Sequence, residues 1–422
     1  MNVIIKPKKL KGEVIIPPSK SLSHRAIIAA SLASGKSEIS NVLFSKDIKA
    51  TIEAMRACGA NIIEHKDSLT IYGSEVYRAK SELNANESGS TIRFMIPIAL
   101  VCDEKMIFKG ENHLVKRPLD TYYEIFDKLG IEFNHPKDSY LPLETKGGLK
   151  AGIYEIRGDI SSQFITGLLY ALPMLDGNSK LVITTNLESK GYVDLTLDIL
   201  SKFGIEIENK EYKEFIIKGN QKFKPFDYTV EGDYSQSAFF LVANALGNEI
   251  VLKAMNENSY QGDKKIIQDM IDFGCDVVAL DDTLMCKANN LCGATIDFSQ
   301  SPDLGPALSV LASVSKGQSD FINAARLRIK ECDRITCMKE ELEKMGANIS
   351  ETPDSMHIIG VDKLKGAIID SHNDHRVAMS IAMAATISTS EVKILNAGCV
   401  SKSFPHFWEV YKSLGGEIVY ED

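Results

Sequence analysis

The sequence predicts an α/β protein built from α+β repeats that form two similar domains. Three observations support this prediction. An amphipathic helix followed by glycine and a strand recurs six times, about 70 residues apart. A second, almost wholly apolar helix alternates with the first, and the N-terminal strand pattern resembles a segment near the C-terminus. Regular repeats of this kind indicate units that bury their apolar faces against their neighbours.

The first repeated pattern is an amphipathic helix that ends at a glycine. Glycine adopts left-handed backbone conformations without a steric penalty, so it is favoured where a helix ends and a strand begins. The six instances are MRACGANII, FDKLGIEF, LSKFGIEI, IDFGCDVV, LEKMGANI and YKSLGGEIV, with glycines at Gly59, Gly130, Gly204, Gly274, Gly346 and Gly415.

The second repeated pattern is a helix that is apolar on nearly all sides and rich in small residues. A helix of this composition is buried, so we expect the amphipathic helices to lie outside it. The six segments are SHRAIIAASLAS, STIRFMIPIAL, SSQFITGLLYAL, SQSAFFLVANAL, LGPALSVLASV and DHRVAMSIAMAA.

The N-terminal residues indicate how the repeats close into domains. The last repeat ends before its closing strand, and KLKGEVII at residues 9–16 resembles KLKGAIID at residues 363–370. We therefore expect the N-terminal strands to complete the C-terminal domain. One domain then spans residues 19–230, and the other spans residues 231–422 together with residues 1–18. Two sequential domains divided at the same point are the alternative.

Composition is typical of a globular protein with a small-molecule site. The hydrophobic and charged fractions, 44% and 25%, are ordinary. No apolar run reaches the length of a membrane span, and the start lacks the features of a signal or transit peptide. We therefore expect cytoplasmic residence and no membrane partner. The net charge of −9 disfavours a nucleic-acid partner. The cysteines are scattered without a CxxC pair, which favours reduced thiols over zinc ligands.

Polar or small residues open each apolar helix. Any one of them could be explained as a cap that accepts a backbone N–H. Six such starts at matching repeat positions favour anion binding, because helix N-termini offer partial positive charge and free donors. We expect the starts from both domains to converge on one cleft. The segments are Lys20-Ser21, Ser88-Gly89-Ser90, Ser161-Ser162-Gln163, Ser235-Gln236-Ser237, Ser301-Pro302-Asp303 and Asn373-Asp374-His375-Arg376.

Cations cluster near the same helix starts despite the acidic total. A cation at a helix N-terminus opposes the helix dipole, so ligand binding explains the cluster better than stability does. A solvated surface is the alternative for any single member. The residues are Lys20, Arg25, Arg93, Lys116, Arg117, Lys330, Arg334, Arg376 and Lys402.

Nine motifs, in order, resemble the 3-phosphoshikimate 1-carboxyvinyltransferase family, also called the EPSP synthase family. They cover essentially the whole chain: PPSKSLSHRAIIAASL, ESGSTIR, VKRPLD, DISSQFITGLL, VEGDYSQSAFF, SPDLGPAL, RLRIKECDR, NDHRVAM and VSKSFPHFWE. The resemblance implies two domains of three βαβαββ-type units, with buried helices, outer sheets and an active site in the interdomain cleft. It also implies a monomer that needs no metal or cofactor.

The activity implied by the resemblance is enolpyruvyl transfer from phosphoenolpyruvate to the 5-hydroxyl of shikimate 3-phosphate. This reaction belongs to the chorismate pathway of aromatic amino-acid biosynthesis. It needs a base for the hydroxyl and an acid/base group beside C3 of phosphoenolpyruvate. Our candidates are Asp303 for the hydroxyl and Glu331 for C3, with Lys20 protonating the departing phosphate. A helix cap is the alternative role of Asp303, and a carboxylate favoured by the helix dipole is that of Glu331.

The resemblance also implies two ligand sets. The phosphoshikimate ligands are Lys20, Ser21, Arg25, Ser161, Ser162, Gln163, Ser189, Asp303 and Lys330. The phosphoenolpyruvate ligands are Lys20, Gly89, Arg117, Gln163, Arg334, Arg376 and Lys402.

Some positions depart from the family pattern. Arg326 stands where some members have Asn, and Glu87 replaces a polar residue before Ser88-Gly89, where an extra carboxylate would weaken anion binding unless it points away. His372 and its neighbours could suggest a metal site, but they lack an evident further ligand group, so none is expected.

Three alternative functions fit the sequence less well. A UDP-N-acetylglucosamine enolpyruvyl transferase is disfavoured, because it would carry Lys-Asn in the first motif, where this chain has Ser-Lys-Ser. An RNA 3′-terminal phosphate cyclase is disfavoured by the acidic balance. A non-catalytic anion-binding protein is disfavoured because Asp303, Glu331 and Lys20 are all present.

Overall fold

The computed structural model describes residues 1–74, 80–102 and 104–421 of the 422-residue chain. It divides into two compact units. The first unit is Lys20–Val230, and the second is Met1–Ser19 together with Glu231–Asp422. Each unit has its own hydrophobic core. Within the described ranges, no helix is both long enough and apolar enough to cross a membrane.

Two kinds of helix alternate along the chain. The apolar helices are α1 (Lys20–Leu32), α3 (Gly89–Ala99), α5 (Ser162–Ala171), α7 (Tyr234–Ala245), α9 (Gly305–Ala312) and α11 (His375–Ala385). The amphipathic helices are α2 (Lys46–Ala57), α4 (Asp120–Leu129), α6 (Lys190–Lys202), α8 (Ile266–Asp272), α10 (Arg334–Lys344) and α12 (Phe407–Ser413).

The prediction that the apolar helices are buried is confirmed. Every residue of α7, α9 and α11 is buried. In α1, α3 and α5 the half-buried exceptions lie in the first turn: Lys20, Ser21, Ser90 and Gln163. The starts of α1, α3 and α5 are thus the accessible ends of otherwise buried helices.

The strands of the first unit form four-stranded sheets in the orders β14-β3-β5-β4, β6-β7-β9-β8 and β10-β11-β13-β12. In each sheet the first pair is parallel and the others are antiparallel. The strands are β3 (Gly35–Ser40), β4 (Asn61–Glu64), β5 (Ser68–Gly73), β6 (Glu82–Asn84), β7 (Met106–Lys109), β8 (Glu132–Asn134), β9 (Leu143–Lys146), β10 (Ile153–Ile156), β11 (Ser179–Ile183), β12 (Ile207–Lys210), β13 (Glu214–Ile217) and β14 (Tyr228–Thr229).

The second unit repeats this pattern in sheets of order β16-β17-β15-β2, β18-β19-β21-β20 and β22-β23-β1-β24. Its strands are β1 (Asn2–Lys6), β2 (Lys11–Ile15), β15 (Glu249–Lys253), β16 (Cys275–Leu280), β17 (Thr283–Ala288), β18 (Thr295–Asp297), β19 (Gln318–Ile322), β20 (Asn348–Glu351), β21 (Met356–Ile359), β22 (Ile368–Asp370), β23 (Val392–Leu395) and β24 (Glu417–Glu421).

Strands distant along the chain complete two sheets of the second unit. β1 pairs with both β23 and β24, so that Val3 lies opposite Ile394 on one side and Tyr420 on the other. β2 runs parallel to β15, as β22 runs parallel to β23. The matching segments KLKGEVII and KLKGAIID therefore supply the first strands of two equivalent repeats.

The six repeat glycines have the predicted left-handed backbone. Their φ angles range from 69° at Gly130, which directly ends α4, to 101° at Gly59. A side chain would be strained at such φ values, so the prediction for these positions is confirmed.

Candidate active site

In the first unit, the start of α1 brings Lys20 against the start of α2. The Lys20 ammonium lies 2.7 Å from the Asp47 carboxylate, and both side chains are largely buried. Sequence reasoning missed Asp47. Its position in the first turn of a helix is favourable for any acidic residue, so nothing in the sequence marked it as a partner of Lys20.

Arg25 is buried and bonded to the protein. Its Nε donates to Thr196 Oγ1 at 2.9 Å, and its Nη2 donates to the Tyr192 carbonyl at 2.9 Å. Its Nη1 donates to the Ser21 carbonyl at 2.8 Å. Burial lowers the pKa of Arg25 to about 10, although Tyr170 and Tyr192 act in the opposite direction. Arg25 therefore ties the start of α1 to α6, in addition to the ligand role predicted for it.

The start of α3 is packed against an arginine. Ser88 caps the helix by accepting the Thr91 N–H at 3.2 Å. A Cβ added to Gly89 would lie 2.4 Å from Nη1 of Arg117. Real side chains do not tolerate so short a contact, so glycine is required for the guanidinium to lie against the helix start. The structure thus brings the predicted residues Gly89 and Arg117 together.

The start of α5 is joined to α3 by Gln163. Its Oε1 accepts from Arg93 Nη1 at 2.8 Å, and its Nε2 donates to Ser90 Oγ at 2.9 Å. Arg93 also donates to the Pro118 carbonyl at 3.1 Å. The sequence assigns Arg93 no ligand role, and the structure shows that it orients the Gln163 amide.

The remaining predicted residues of the first unit also lie at helix starts. Ser161 caps α5 by accepting the Gln163 N–H at 3.3 Å, and Ser162 is buried beside it. Ser189 precedes α6, is buried and has a left-handed φ of 55°. Lys116 is exposed, unlike its neighbour Arg117.

In the second unit, Asp303 is surrounded by cations. It lies in the 3₁₀ turn Pro302–Leu304 that precedes α9. Its carboxylate is 3.2 Å from Lys330, 2.9 Å from Arg334 and 3.2 Å from Arg376. The structure brings these four predicted residues together although 73 positions separate Asp303 from Arg376.

Arg334 is the centre of this cluster. Its Nη1 donates to Asp303 at 2.9 Å and its Nη2 to Glu331 at 2.5 Å. Its Nε donates to Oδ2 of Asp374 at 2.8 Å. Burial alone would lower the pKa of Arg334, but the carboxylates of Asp374, Glu331 and Asp303 hold it well above its usual value. The guanidinium therefore stays charged and contacts both candidate catalytic carboxylates.

The sequence identifies Asp374 only as a residue that opens an apolar helix and as a neighbour of the candidate metal ligand His372. In the structure it caps α11 by accepting the Arg376 N–H at 2.8 Å while it holds Arg334. Burial raises its pKa, but Arg334 more than offsets this, so the pKa is lowered and the group is ionised.

The cations of this cluster set the protonation of Asp303 and Lys330. Burial opposes ionisation of Asp303, yet Arg376, Lys330 and Arg334 hold its pKa well below the usual range. Burial lowers the pKa of Lys330 to about 8, although Asp303 acts against this. The ionised Asp303 is thus able to accept a proton. Its basicity is weak as long as no bound anion balances the surrounding cations.

The other predicted residues of the second unit lie close to these. Arg376 donates from Nη1 to the Asp303 carbonyl at 3.1 Å. Lys402 ends the 3₁₀ turn Ala397–Lys402 and donates to the Asn373 carbonyl at 2.9 Å, next to Asp374. Arg326 is buried, with Nη1 3.4 Å from the Ser299 carbonyl.

Local contacts surround Glu87 and His372, two residues that the sequence singles out. Asn112 Nδ2 donates to Glu87 at 3.0 Å, which holds this carboxylate on a neighbouring loop. His372 lies with Glu340 and Glu341 in a group whose ligand atoms are within 4.8 Å of one another. Glu341 in this group accepts hydrogen bonds from Lys344 and His372, each at 2.7 Å, so protein donors already occupy its carboxylate.

Comparisons with known proteins identify the family. The model of the EPSP synthase (3-phosphoshikimate 1-carboxyvinyltransferase) family matches residues 4–411. A 3-phosphoshikimate 1-carboxyvinyltransferase of Clostridium perfringens is 51% identical over 418 residues, which cover 98% of both chains. One from Clostridium beijerinckii is 50% identical over 425 residues, with the same coverage. The solved EPSP synthase of Acinetobacter baumannii superimposes with a TM-score of 0.83, at 26% identity and full coverage of both chains. The chain belongs to the EPSP synthase family.

Proposed function

We propose that the chain transfers the enolpyruvyl group of phosphoenolpyruvate to the 5-hydroxyl of shikimate 3-phosphate, which gives 5-enolpyruvylshikimate 3-phosphate and phosphate. The observation that carries the proposal is the contact of Asp303 with Lys330, Arg334 and Arg376 in a member of this family. It puts an ionised base among cations that suit anionic substrates.

Charge balance supports the choice of substrates. The two phosphates and two carboxylates of the substrates together carry about six negative charges near neutral pH. Oriented cations and backbone donors must compensate them. The candidate cations are Lys20 and Arg117 in the first unit and Lys330, Arg334, Arg376 and Lys402 in the second.

We assign the ligands as follows. Shikimate 3-phosphate is bound by Lys20, Ser21, Arg25, Ser161, Ser162, Gln163, Ser189, Asp303 and Lys330. Phosphoenolpyruvate is bound by Lys20, Gly89, Arg117, Gln163, Arg334, Arg376 and Lys402. The hydrogen bonds of Gln163 to Arg93 and Ser90 support its shared role, because they fix the direction in which its amide can donate.

In the proposed mechanism, Asp303 takes the proton of the attacking hydroxyl. Its cations depress its proton affinity in the free protein, and bound anions would compensate those cations. Asp303 therefore becomes a stronger base when the substrates bind. This coupling suits catalysis, since the base acts only when both reactants are present.

Glu331 exchanges the proton at C3 of phosphoenolpyruvate. It shares the Arg334 guanidinium with Asp303, because Nη1 donates to Asp303 and Nη2 donates to Glu331. An anion that binds Arg334 competes with both contacts. Lys20, which forms an ion pair with Asp47 at 2.7 Å, donates a proton to the departing phosphate.

A phosphate-release assay tests the proposal. The protein is mixed with shikimate 3-phosphate and phosphoenolpyruvate, and the product is identified by mass. Turnover is expected only with both substrates, and replacement of shikimate 3-phosphate by UDP-N-acetylglucosamine should abolish it. A folded preparation that binds both anions without releasing phosphate would instead identify a non-catalytic binding protein.

We further propose that the protein acts in the cytoplasm as a monomer. Light scattering coupled to size exclusion should give the mass of one chain, and the mass of a dimer would contradict this.

A further inference from the structure

Two cysteines, Cys332 and Cys337, lie next to the charged cluster around Arg334. The described residues include all eight cysteines, and none is in a disulfide. An interaction with Cys337 is the main reason why the pKa of the Cys332 thiol is raised, so the two side chains are neighbours. Both residues are almost fully buried, with exposures of 9% and 7%.

Local helix geometry holds the two thiols together. Asp333 caps α10 by accepting the Thr336 N–H at 3.2 Å. Cys332 therefore precedes the cap, and Cys337 is the fourth helical residue after it. Side chains at these two positions ordinarily pack against each other as a hydrophobic staple. Here both staple positions are cysteines, so the contact is a property of the helix start.

The pair is connected to the charged cluster. The Cys332 thiol donates to Oδ2 of Asp374 at 3.6 Å. The same oxygen accepts from Arg334 Nε at 2.8 Å. Along the chain, Cys332 also lies directly between Glu331 and Asp333. A covalent change at Cys332 therefore acts on Asp374 through a hydrogen bond and on Glu331 through the backbone.

We infer that Cys332 and Cys337 are a redox modification site, which a low-molecular-weight disulfide such as glutathione disulfide oxidises reversibly and with loss of activity. One reagent S–S bond breaks and one Cys332–Cys337 bond forms by way of a mixed disulfide. The two thiol protons and two electrons pass to the reagent, which leaves as two glutathione thiols.

Oxidation has two consequences for the site. It removes the thiol hydrogen that Cys332 donates to Asp374. It also joins the two neighbouring sulfur atoms in a covalent bond of about 2.0 Å, which draws Cys332 toward α10. Both changes disturb the carboxylates that hold Arg334. The predicted loss of activity rests on the proposed function, whereas formation of the disulfide does not.

The reaction is expected to be slow at neutral pH. The interaction with Cys337, burial and the charge of Asp374 all raise the pKa of Cys332. Since the thiolate is the attacking species, treatment at pH about 9 should oxidise the pair faster than treatment at pH about 7.

Peptide mapping detects the disulfide directly. The protein is treated with glutathione disulfide, blocked with N-ethylmaleimide and digested with trypsin. Cleavage at Lys330, Arg334 and Lys339 places the two cysteines in ECDR and ITCMK. The expected product is the linked pair ECDR–ITCMK, which dithiothreitol separates. Its formation should parallel a loss of kcat/KM of about tenfold or more.

A second thiol pair provides a matched control. Cys275 and Cys286 are diagonal neighbours on the paired strands β16 and β17, where Cys286 lies opposite Val277 and Cys275 opposite Ala288. Cys337→Ala should retain activity and resist glutathione disulfide, whereas Cys286→Ala should be inactivated like the reference protein.

Three results would overturn the inference: no linked peptide, a linked peptide with unchanged activity, or equal inactivation of Cys337→Ala. If the reference protein shows no turnover before oxidation, the proposed function fails. The linked peptide alone then decides whether the thiol pair is a modification site.

Discussion

The Asp374 carboxylate holds the Arg334 guanidinium through a 2.8 Å ion pair between side chains that are 0% and 1% exposed. Forty positions separate the two residues along the chain. Asp374 accepts from Nε at 2.8 Å and from Nη2 at 3.4 Å, and this orientation directs Nη1 at Asp303 and Nη2 at Glu331. One buried carboxylate therefore sets the geometry of both candidate catalytic groups.

Asp374→Asn should disorganise the site. The amide can still cap α11, but it leaves the buried Arg334 charge incompletely paired, which costs about 3–5 kcal/mol when a buried pair is broken. We expect kcat/KM to fall by about 10²-fold or more and the melting temperature to drop. Steady-state kinetics and thermal unfolding measure these effects.

Asp233→Asn is the matched control for that change. Asp233 caps α7 by accepting from the backbone N–H groups of Ser235 and Gln236, at 2.8 and 3.2 Å. An amide can accept the same hydrogen bonds, so a small effect is expected. An equally small effect of Asp374→Asn would show that capping, rather than the Arg334 pair, is the role of Asp374.

Asp303→Ala should separate chemistry from binding. Loss of the base is expected to lower kcat by about 10³-fold or more. Removal of a carboxylate from three cations should not weaken the affinity for phosphoenolpyruvate. Titration of the variant with each substrate checks the affinity. A variant with normal turnover would assign the base role elsewhere.

Gly89→Ala should act on phosphoenolpyruvate through Arg117. The new Cβ would lie 2.4 Å from Arg117 Nη1, so the guanidinium must move. We expect KM for phosphoenolpyruvate to rise by about tenfold or more while the fold persists. Gly152→Ala is the control, because a Cβ at this position meets no atom within 4 Å. It shows what a glycine-to-alanine change does when no side chain is displaced. A rise in KM for shikimate 3-phosphate, with KM for phosphoenolpyruvate unchanged, would contradict the assignment.

Lys330 should make substrate affinity depend on pH. Its pKa of about 8 means that it is protonated below this pH and neutral above it. The 3-phosphate remains a dianion over this range, because its second pKa is near 6. KM for shikimate 3-phosphate should therefore rise as the pH passes 8. Lys330→Arg keeps its charge and should flatten this rise, and an unchanged profile would exclude Lys330 as its source.

Local features of the sequence predicted much of the fold. The helix period and the composition of the apolar helices predicted which helices are buried, since a helix without a polar face has no stable exposed orientation. The repeat glycines predicted the helix ends because left-handed φ values exclude most side chains. The cations at helix starts pointed to Lys330, Arg334 and Arg376 for the same local reason: their placement opposes the helix dipole.

The partners of these cations were not predictable from the chain. Asp47 and Asp374 are ordinary helix-start acids in sequence, and Cys332 and Cys337 read as scattered thiols. Only the packed units show that Asp47 pairs with Lys20 and that Asp374 pairs with Arg334. Hydrogen bonds and ion pairs act over about 3 Å, whereas the sequence separations here are 27 and 40 positions.

The sequence by itself determined the repeat, the buried helices and the kinds of residue at their starts, because these depend on interactions within a few turns of chain. Tertiary structure decided which carboxylate faces which cation, and hence which groups are charged. Those contacts depend on how separate repeats pack, and no local pattern records that packing.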